Sequence, residues 1–368
     1  MSTVRRCLIA PVSATFLLAC ATAMAGTPGP HYHLVQINIP GAVNVFVADI
    51  NNAGQAVGYY VDADFENQAF LFDGTTAFTL PRPADRMDGN ATAINELGQI
   101  VGTTSTITDD GSLSSAMLWD AAHPESYTVI GDDQANKLNP ADINDAGVVV
   151  GLASQDGAFR AFSWSAGGGL VDDGVPPVGD GAQAYWSALN NDGHIVGGWN
   201  FIFGAAHATS GQFGTPGITP LAAGTYDAKS VAHGINDADT AVGEMDLDGS
   251  GNAVPVTFAG GVVAAIPGAL LDLAAGGAYG INEQGVIVGR AQDFATLAFK
   301  AFVFIDGVSW DLLEQSDSDA GFPYLLKAVA VNESGVIVGV GRIGDFDVGS
   351  FIATPIADDA IFTDGFDG

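Results

Sequence analysis

The sequence predicts an all-β chain: a seven-bladed β-propeller of four-stranded blades, closed by its N-terminal strand. Three observations predict it. A box of the form Ile-Asn-x-x-Gly-x-Val-Val-Gly occurs seven times, with its asparagine at Asn51, Asn95, Asn144, Asn190, Asn236, Asn282 and Asn332. The steps run from 44 to 50 residues, within the roughly 40–50 residues of a propeller blade. Each repeat before the last also carries four short apolar runs separated by turn residues, the signature of short antiparallel strands. Finally, the termini are displaced by one strand. Residues 33–39 alternate as a strand ahead of the first box, whereas the seventh repeat stops after three runs. The spare strand is the one the last repeat lacks, and pairing the two leaves no open sheet edge.

Taken in order, residues 1–25 read as a secretory leader. Arg5 and Arg6 precede an apolar run from Cys7 to Ala19, and Ala23-Met24-Ala25 fits the small-x-small cleavage rule. The run is too short and too interrupted to span a bilayer. Leu17-Leu18-Ala19-Cys20 offers a second reading, a lipid anchor at Cys20, and Arg5-Arg6 a partial twin-arginine match. Both cysteines, Cys7 and Cys20, lie in this segment, so no disulfide is expected beyond it. Residues 31–356 form the expected propeller, a monomer, and 357–368 an acidic tail outside the blades.

Within each repeat, segment A leads into the asparagine (Val45 to Asn51 in the first copy) and segment B is the Val-Gly stretch. Segment C reads small-Phe-aliphatic-aromatic, as in Ala69-Phe70-Leu71-Phe72 and Ala301-Phe302-Val303-Phe304, and segment D is a short apolar run. Copy four has an eroded C box, read as Ser210-Gly211-Gln212-Phe213. Between A and B, Asn-(Asp/Asn/Glu)-x-Gly fits a type I turn followed by a left-handed residue. Copy five places Asp239 at that left-handed position, one of the few non-glycine residues that tolerate it. The asparagine side chain can bond the turn backbone. The second glycine of each box permits close approach of neighbouring backbone.

This pattern resembles the HAF-type extracellular repeat of bacterial secreted proteins. That family pairs an Ile-Asn-x-x-Gly-x-Val-Val-Gly box with an x-Ala-Phe-Leu-Trp box. Gln68-Ala69-Phe70, Arg160-Ala161-Phe162 and Lys300-Ala301-Phe302 stand where the family often has His-Ala-Phe. The resemblance implies an extracellular repeat architecture and carries no activity or catalytic residue with it.

Composition narrows the partners. The 368 residues hold 11 Lys and Arg against 42 Asp and Glu, for a formal charge of −31. Such a surface repels nucleic acid and anionic membranes and favours cationic partners, divalent ions included. Hydrophobic residues at 48% exclude disorder.

Strand alternation sorts the loops by face. A–B and C–D turns are short and share one face. B–C loops and D–A linkers are long, variable and acidic, and share the other. Loops on a rigid scaffold are the usual place for function. The candidates for a binding face there are Asp62, Asp64, Trp186, Trp199, Tyr226, Tyr279, Tyr324, Asp345 and Asp347. Asp246, Asp248 and Ser250 resemble the start of a calcium loop, but position twelve, which should be a bidentate acid, is Thr257. Calcium is the one cofactor the acidic loops suggest. For catalysis there is no His-Glu-x-x-His, no Gly-x-Ser-x-Gly and no phosphate-binding glycine loop, and the six histidines are scattered. The sequence therefore points to a secreted, non-catalytic binding or scaffold protein whose ligand is a carbohydrate or an envelope protein. The alternative is an extracellular hydrolase or lyase that acts on polysaccharide with rim carboxylates. An enzyme of that kind needs a channel pocket holding carboxylates of perturbed pKa.

Overall fold

A computed structural model describes residues 29–356, apart from 109–110, 132–136, 156–157, 179, 202–203, 223–227, 268–274, 294–295 and 346. The leader, the cysteines and the acidic tail lie outside the described residues. Seven four-stranded antiparallel sheets follow one another around a ring, with no helix among the described residues. In blade 1, strands A to D are Asn44–Ile50, Ala56–Val61, Asn67–Phe72 and Ala77–Thr79. Blade 7 takes its A, B and C strands from Tyr324–Val331, Ile337–Arg342 and Val348–Pro355. Its fourth strand is Tyr32–Ile37, paired to strand C from Tyr32↔Pro355 to Ile37↔Ser350. The closure expected from the displaced termini is what the chain forms. Tyr32, Leu34 and Ile37 are buried by it, so the closure is anchored by apolar burial as well as by the ladder.

The core lies between blades. Val57, Leu71 and Leu80 of blade 1 pack on Ile94, Ile100, Met117 and Trp119 of blade 2. A sheet inside a ring has both faces covered, so its strands read as apolar runs rather than strict alternation. The phenylalanines of the C box, Phe70, Phe162, Phe302 and Phe351, are fully buried.

The repeated box has a specific geometric cause. Every A strand carries a β-bulge three residues before its asparagine, as between Val47 and Asp49 in blade 1 and between Ala232 and Gly234 in blade 5. The bulge drives a carbonyl of strand A against the second glycine of the box on strand B. A Cβ at Gly58, Gly102 or Gly243 would lie 2.1, 2.0 or 1.9 Å from the oxygen of Phe46, Asn90 or Val231. The first glycine serves the turn instead. Gly54 and Gly98 have φ of 76° and 79°, and Asp239 takes the same region at 57°.

The seven asparagines close a ring of their own. Each Oδ1 accepts the amide four residues on, as from Gln55 to Asn51 and from Val148 to Asn144. Each Nδ2 donates to the backbone carbonyl of the asparagine in the next blade. Asn144 donates to Asn190 at 3.1 Å, and Asn332 returns to Asn51 at 3.1 Å. A second ring lies one residue further on. The amides of Asn52, Glu96, Asp145, Asn191, Asp237, Glu283 and Glu333 each donate to the side chain of the next member, at 2.6 to 3.2 Å. This explains the Asp/Asn/Glu preference after the asparagine: only a side-chain oxygen of that reach accepts the preceding blade's amide.

Blade 4 corrects the sequence reading in one place. Its C strand is His207–Gln212 and pairs Gly197 with Thr209. The C box is therefore Ala208-Thr209, two residues ahead of the expected Ser210-Gly211. Thr209 stands where the other blades put a large apolar side chain, and Trp186 from strand A lies against the C strand, so close that a Cβ at Gly211 would touch its ring.

Candidate functional site

The central channel holds a cavity of about 730 Å³, lined by strand A residues of every blade. The bulges decide which side chains enter it. The bulged residues Ala48, Thr92, Ala141, Ser187, His233, Tyr279 and Val329 all line it. Five of them are small or aliphatic; blades 5 and 6 put His233 and Tyr279 there instead. A second layer is made by cross-strand pairs, one per blade. Blades 1 to 3 contribute Phe46↔Tyr59, Asn90↔Thr103 and Asn139↔Leu152. Blades 4 to 7 contribute Tyr185↔Gly198, Val231↔Glu244, Gly277↔Arg290 and Lys327↔Val340. The lumen is thus chemically lopsided. One side is apolar or neutral, with Phe46 stacked on Tyr59 at 4.9 Å. The other gathers Tyr185, His233, Glu244, Tyr279, Arg290 and Lys327.

Small residues make room for that cluster. A Cβ at Gly198 would collide with the Tyr185 hydroxyl, and one at Gly277 with the Glu244 carboxylate. Lys327 Nζ sits 3.8 Å from the centre of the Tyr279 ring, a cation–π contact. Its pKa is pushed down to about 8 by burial and then by the Arg290 charge. Burial, followed by Lys327 and Arg290, lowers His233 to about 4 and keeps the imidazole neutral. The His233 ring lies 4.9 Å from that of Tyr279, and its Nε2 is enclosed without a hydrogen-bond partner. Burial raises the Glu244 carboxyl, opposed by Lys229, Arg290 and Lys327.

Deeper in the cavity stand Asp49 and Asp142. Asp49 accepts the amides of Ile50 and, in the next blade, Ile94. Asp142 does the same with Ile143 and Leu189. Burial, then the Asp142 charge, raises Asp49 to about 7; burial raises Asp142 to about 6. The folded chain therefore holds protons that an unfolded aspartate, near 3.8, has released. Stability from these groups is greatest below about pH 4 and falls as pH rises through 6 and 7. The Asp49→Asn variant is expected to show a shallower fall of unfolding free energy between pH 4 and pH 7 than the parent, as measured by urea titration at each pH. Equal slopes would show that Asp49 is ionised throughout.

The expected binding-face residues are dispersed by the fold. Of that set, Tyr279 and Trp186 line the cavity. Trp186 and Trp199 are corrected from rim to core: both are buried, Trp186 Nε1 donates to Asp173 Oδ2 at 2.8 Å, and Trp199 stacks on His207 at 4.8 Å. Alternation along a strand put them inward, which a reading by loop proximity missed. Tyr226 lies outside the described residues. Tyr324 is exposed beside Lys300, Asp311 and Glu314. Asp62 is taken up by its own loop, accepting from Asp64 N, Glu66 N and Gln68 Nε2, while Asp64, Asp345 and Asp347 are exposed. In the expected calcium loop, Asp246 accepts the amides of Gly249 and Gly251, and Asp248 that of Ser250. These carboxylates serve loop amides, and no group of three or more acidic, His or Cys side chains arranged to hold a metal occurs among the described residues.

Sequence reasoning passed over Lys327, Arg290 and Glu244. The signal was present: aligning the repeats on the asparagine shows Lys327 two residues before the bulge position, and Glu244 and Arg290 directly after the second glycine of their boxes.

No family model matches the chain, and no curated protein matches it. Solved structures do, by shape. The β-propeller domain of the Trilobed protease from Pyrococcus furiosus, described as having an open velcro topology, aligns over 86% of this chain and 98% of its own at a TM-score of 0.54 and 11% identity. One of two prolyl endopeptidases aligns over 86% of this chain and 51% of its own, at 0.56 and 10%. YCF48 bound to a D1 peptide aligns over 93% and 100%, at 0.50 and 12%. At these identities the likeness is one of fold. The chain is a seven-bladed β-propeller.

Proposed function

We propose that this chain is a secreted, non-catalytic binding module that takes its ligand in the central channel, entered from the face of the variable B–C loops and D–A linkers. The observation that carries this reading is the lopsided chamber. Inside it, Lys327 rests on the Tyr279 ring with no ion pair among the described residues, and the His233 Nε2 is enclosed without a hydrogen-bond partner. Buried polar groups without partners destabilise a fold, and they persist where something else satisfies them. The surrounding face supports docking of a larger ligand. Phe65 and Leu297, on B–C loops of blades 1 and 6, and Ile107, near the end of the blade 2 B strand, are 79%, 66% and 85% exposed. Phe65 and Leu297 hold φ of 63° and 58°, an unfavourable conformation for such residues. HAF-type membership remains part of this proposal, supported by the paired boxes.

The test is an array of glycans and peptides probed with the full chain, with product detection on retained members. Retention without turnover is expected, and it should be lost in Ala141→Tyr. That position already holds tyrosine in blade 6, so the fold accepts the side chain while the chamber is filled. Retention unaffected by the filled chamber would overturn the channel reading.

A second reading has one observation in its favour. Asp49 and Asp142 share the cavity and are raised towards the range of a general acid. Both oxygens of each already accept backbone amides, which favours the clasp over the catalyst. Product formation on the array that disappears in Asp49→Asn would favour the enzyme.

A further inference from the structure

We infer that the chamber takes a single carboxylate carried on an apolar or aromatic stem, with Lys327 and His233 as its anchors. This rests on the channel-binding reading and assigns the ligand's chemistry. The chain has only 11 Lys and Arg among 368 residues, yet Lys229, Arg290 and Lys327 all act on the one carboxylate of this cluster, Glu244. In a protein of net charge −31, that is a concentration of positive charge. Lys327 makes no ion pair among the described residues; its neighbour is the Tyr279 ring. Arg290 lies over Phe299 at 4.4 Å, and its Nε is enclosed without an acceptor. The two cations also repel each other, which depresses Lys327. A buried cation near a second cation, with an enclosed imidazole nitrogen unpartnered beside it, is a site waiting for an anion.

The same walls select which anion. Glu244 adjoins the cluster, and Asp49 and Asp142 stand on the cavity floor, so a dianion such as phosphate would meet three carboxylates. A single negative charge matches the excess better. Tyr185, Leu152 and Val329 supply aromatic and apolar wall for a stem. One carboxylate on such a stem can come from a free organic acid or from the end of a peptide chain. The chemistry is shared, and reach separates them, because a peptide would also cover the exposed side chains of the loop face.

The experiment is calorimetric titration of the full chain with 3-phenylpropionate and its amide, and with the peptide Gly-Gly-Phe as free acid and as C-terminal amide. Each acid is expected to bind at least tenfold more tightly than its amide. The peptide acid binding more tightly than phenylpropionate identifies a chain end; the reverse identifies a small acid. The Lys327→Met variant is expected to lose at least tenfold in acid binding while melting no lower than the parent, since it removes an unpaired buried charge. A merely structural lysine would show the opposite: lower melting and unchanged affinity. Amides binding as tightly as acids, with both lost in Ala141→Tyr, would overturn the carboxylate and leave the channel reading standing. Binding of acids that ignores both variants would overturn the two together.

Discussion

Replacing Gly102 with alanine is expected to destabilise the fold by about 3 kcal/mol or more, the upper end for overpacking. The added Cβ would lie 2.0 Å from the Asn90 oxygen and 2.8 Å from the Ala91 Cα. Both are backbone atoms of a bulged central strand, and neither can retreat without dragging the bulge and the blade behind it. Gly54→Ala in the first turn is the control. Its Cβ meets nothing within 4 Å, so only the left-handed backbone at φ 76° opposes it, at roughly 1–2 kcal/mol. Urea unfolding of the two variants with unchanged m-values measures the difference. A Gly102→Ala change as mild as Gly54→Ala would mean that the two strands can separate at the bulge, and that the second glycine is not a steric requirement.

Asn144→Ala is expected to cost about 3 kcal/mol through a different mechanism. The side chain is 6% exposed. It gives one hydrogen bond to the Asn190 carbonyl in the next blade and takes one from its own Val148 amide. Alanine leaves the Val148 amide without a partner, at roughly 1–3 kcal/mol, and strips the Asn190 carbonyl of its inter-blade bond, at about 0.5–1.5 kcal/mol, leaving it only the turn bond from the Gly193 amide. Asn144→Asp separates the two halves: it keeps the acceptor for Val148 and loses the donor to Asn190. Aspartate is expected to fall between the parent and alanine or below, because its charge would face a carbonyl oxygen. A loss under about 0.5 kcal/mol in both variants would show that water replaces the ring bonds and that the asparagines do not clasp neighbouring blades. The same treatment of Asn332, whose donor bond reaches Asn51, tests the seam between the last blade and the first.

The repeat made the turns legible one by one. Asp239 could be assigned a left-handed backbone because glycine stands there in the six other copies, and the structure gives it φ of 57°. The closing strand was legible from counting alone, since Tyr32–Ile37 supplies the strand that Val348–Pro355 would otherwise leave as an edge. The asparagine was legible only in half. Its Oδ1 bond is local and follows from turn chemistry, whereas its Nδ2 bond spans 44 to 50 residues between successive blades, and 281 at the seam, and exists only once the ring brings neighbouring turns together.

The candidate site was less visible for the same reason. Trp186 and Trp199 were placed on the rim because they flank a loop in sequence; the strands turn them inward to make good the weak C box of blade 4. Lys327, Arg290 and Glu244 drew no notice as isolated charges in strands. They matter because three blades aim them at one space.

By itself, the sequence determined the number of blades, the hairpin at each box and the strand that closes the ring. All of these are set by local backbone preference and by a pattern repeated along the chain. Only the tertiary structure decided that the asparagines clasp one blade to the next, and that Lys327, Arg290 and Glu244 gather on one side of the lumen. The bulge on each A strand selects which residue enters the channel, and closure of the ring then sets residues from different repeats face to face. Neither effect is a property of any single repeat.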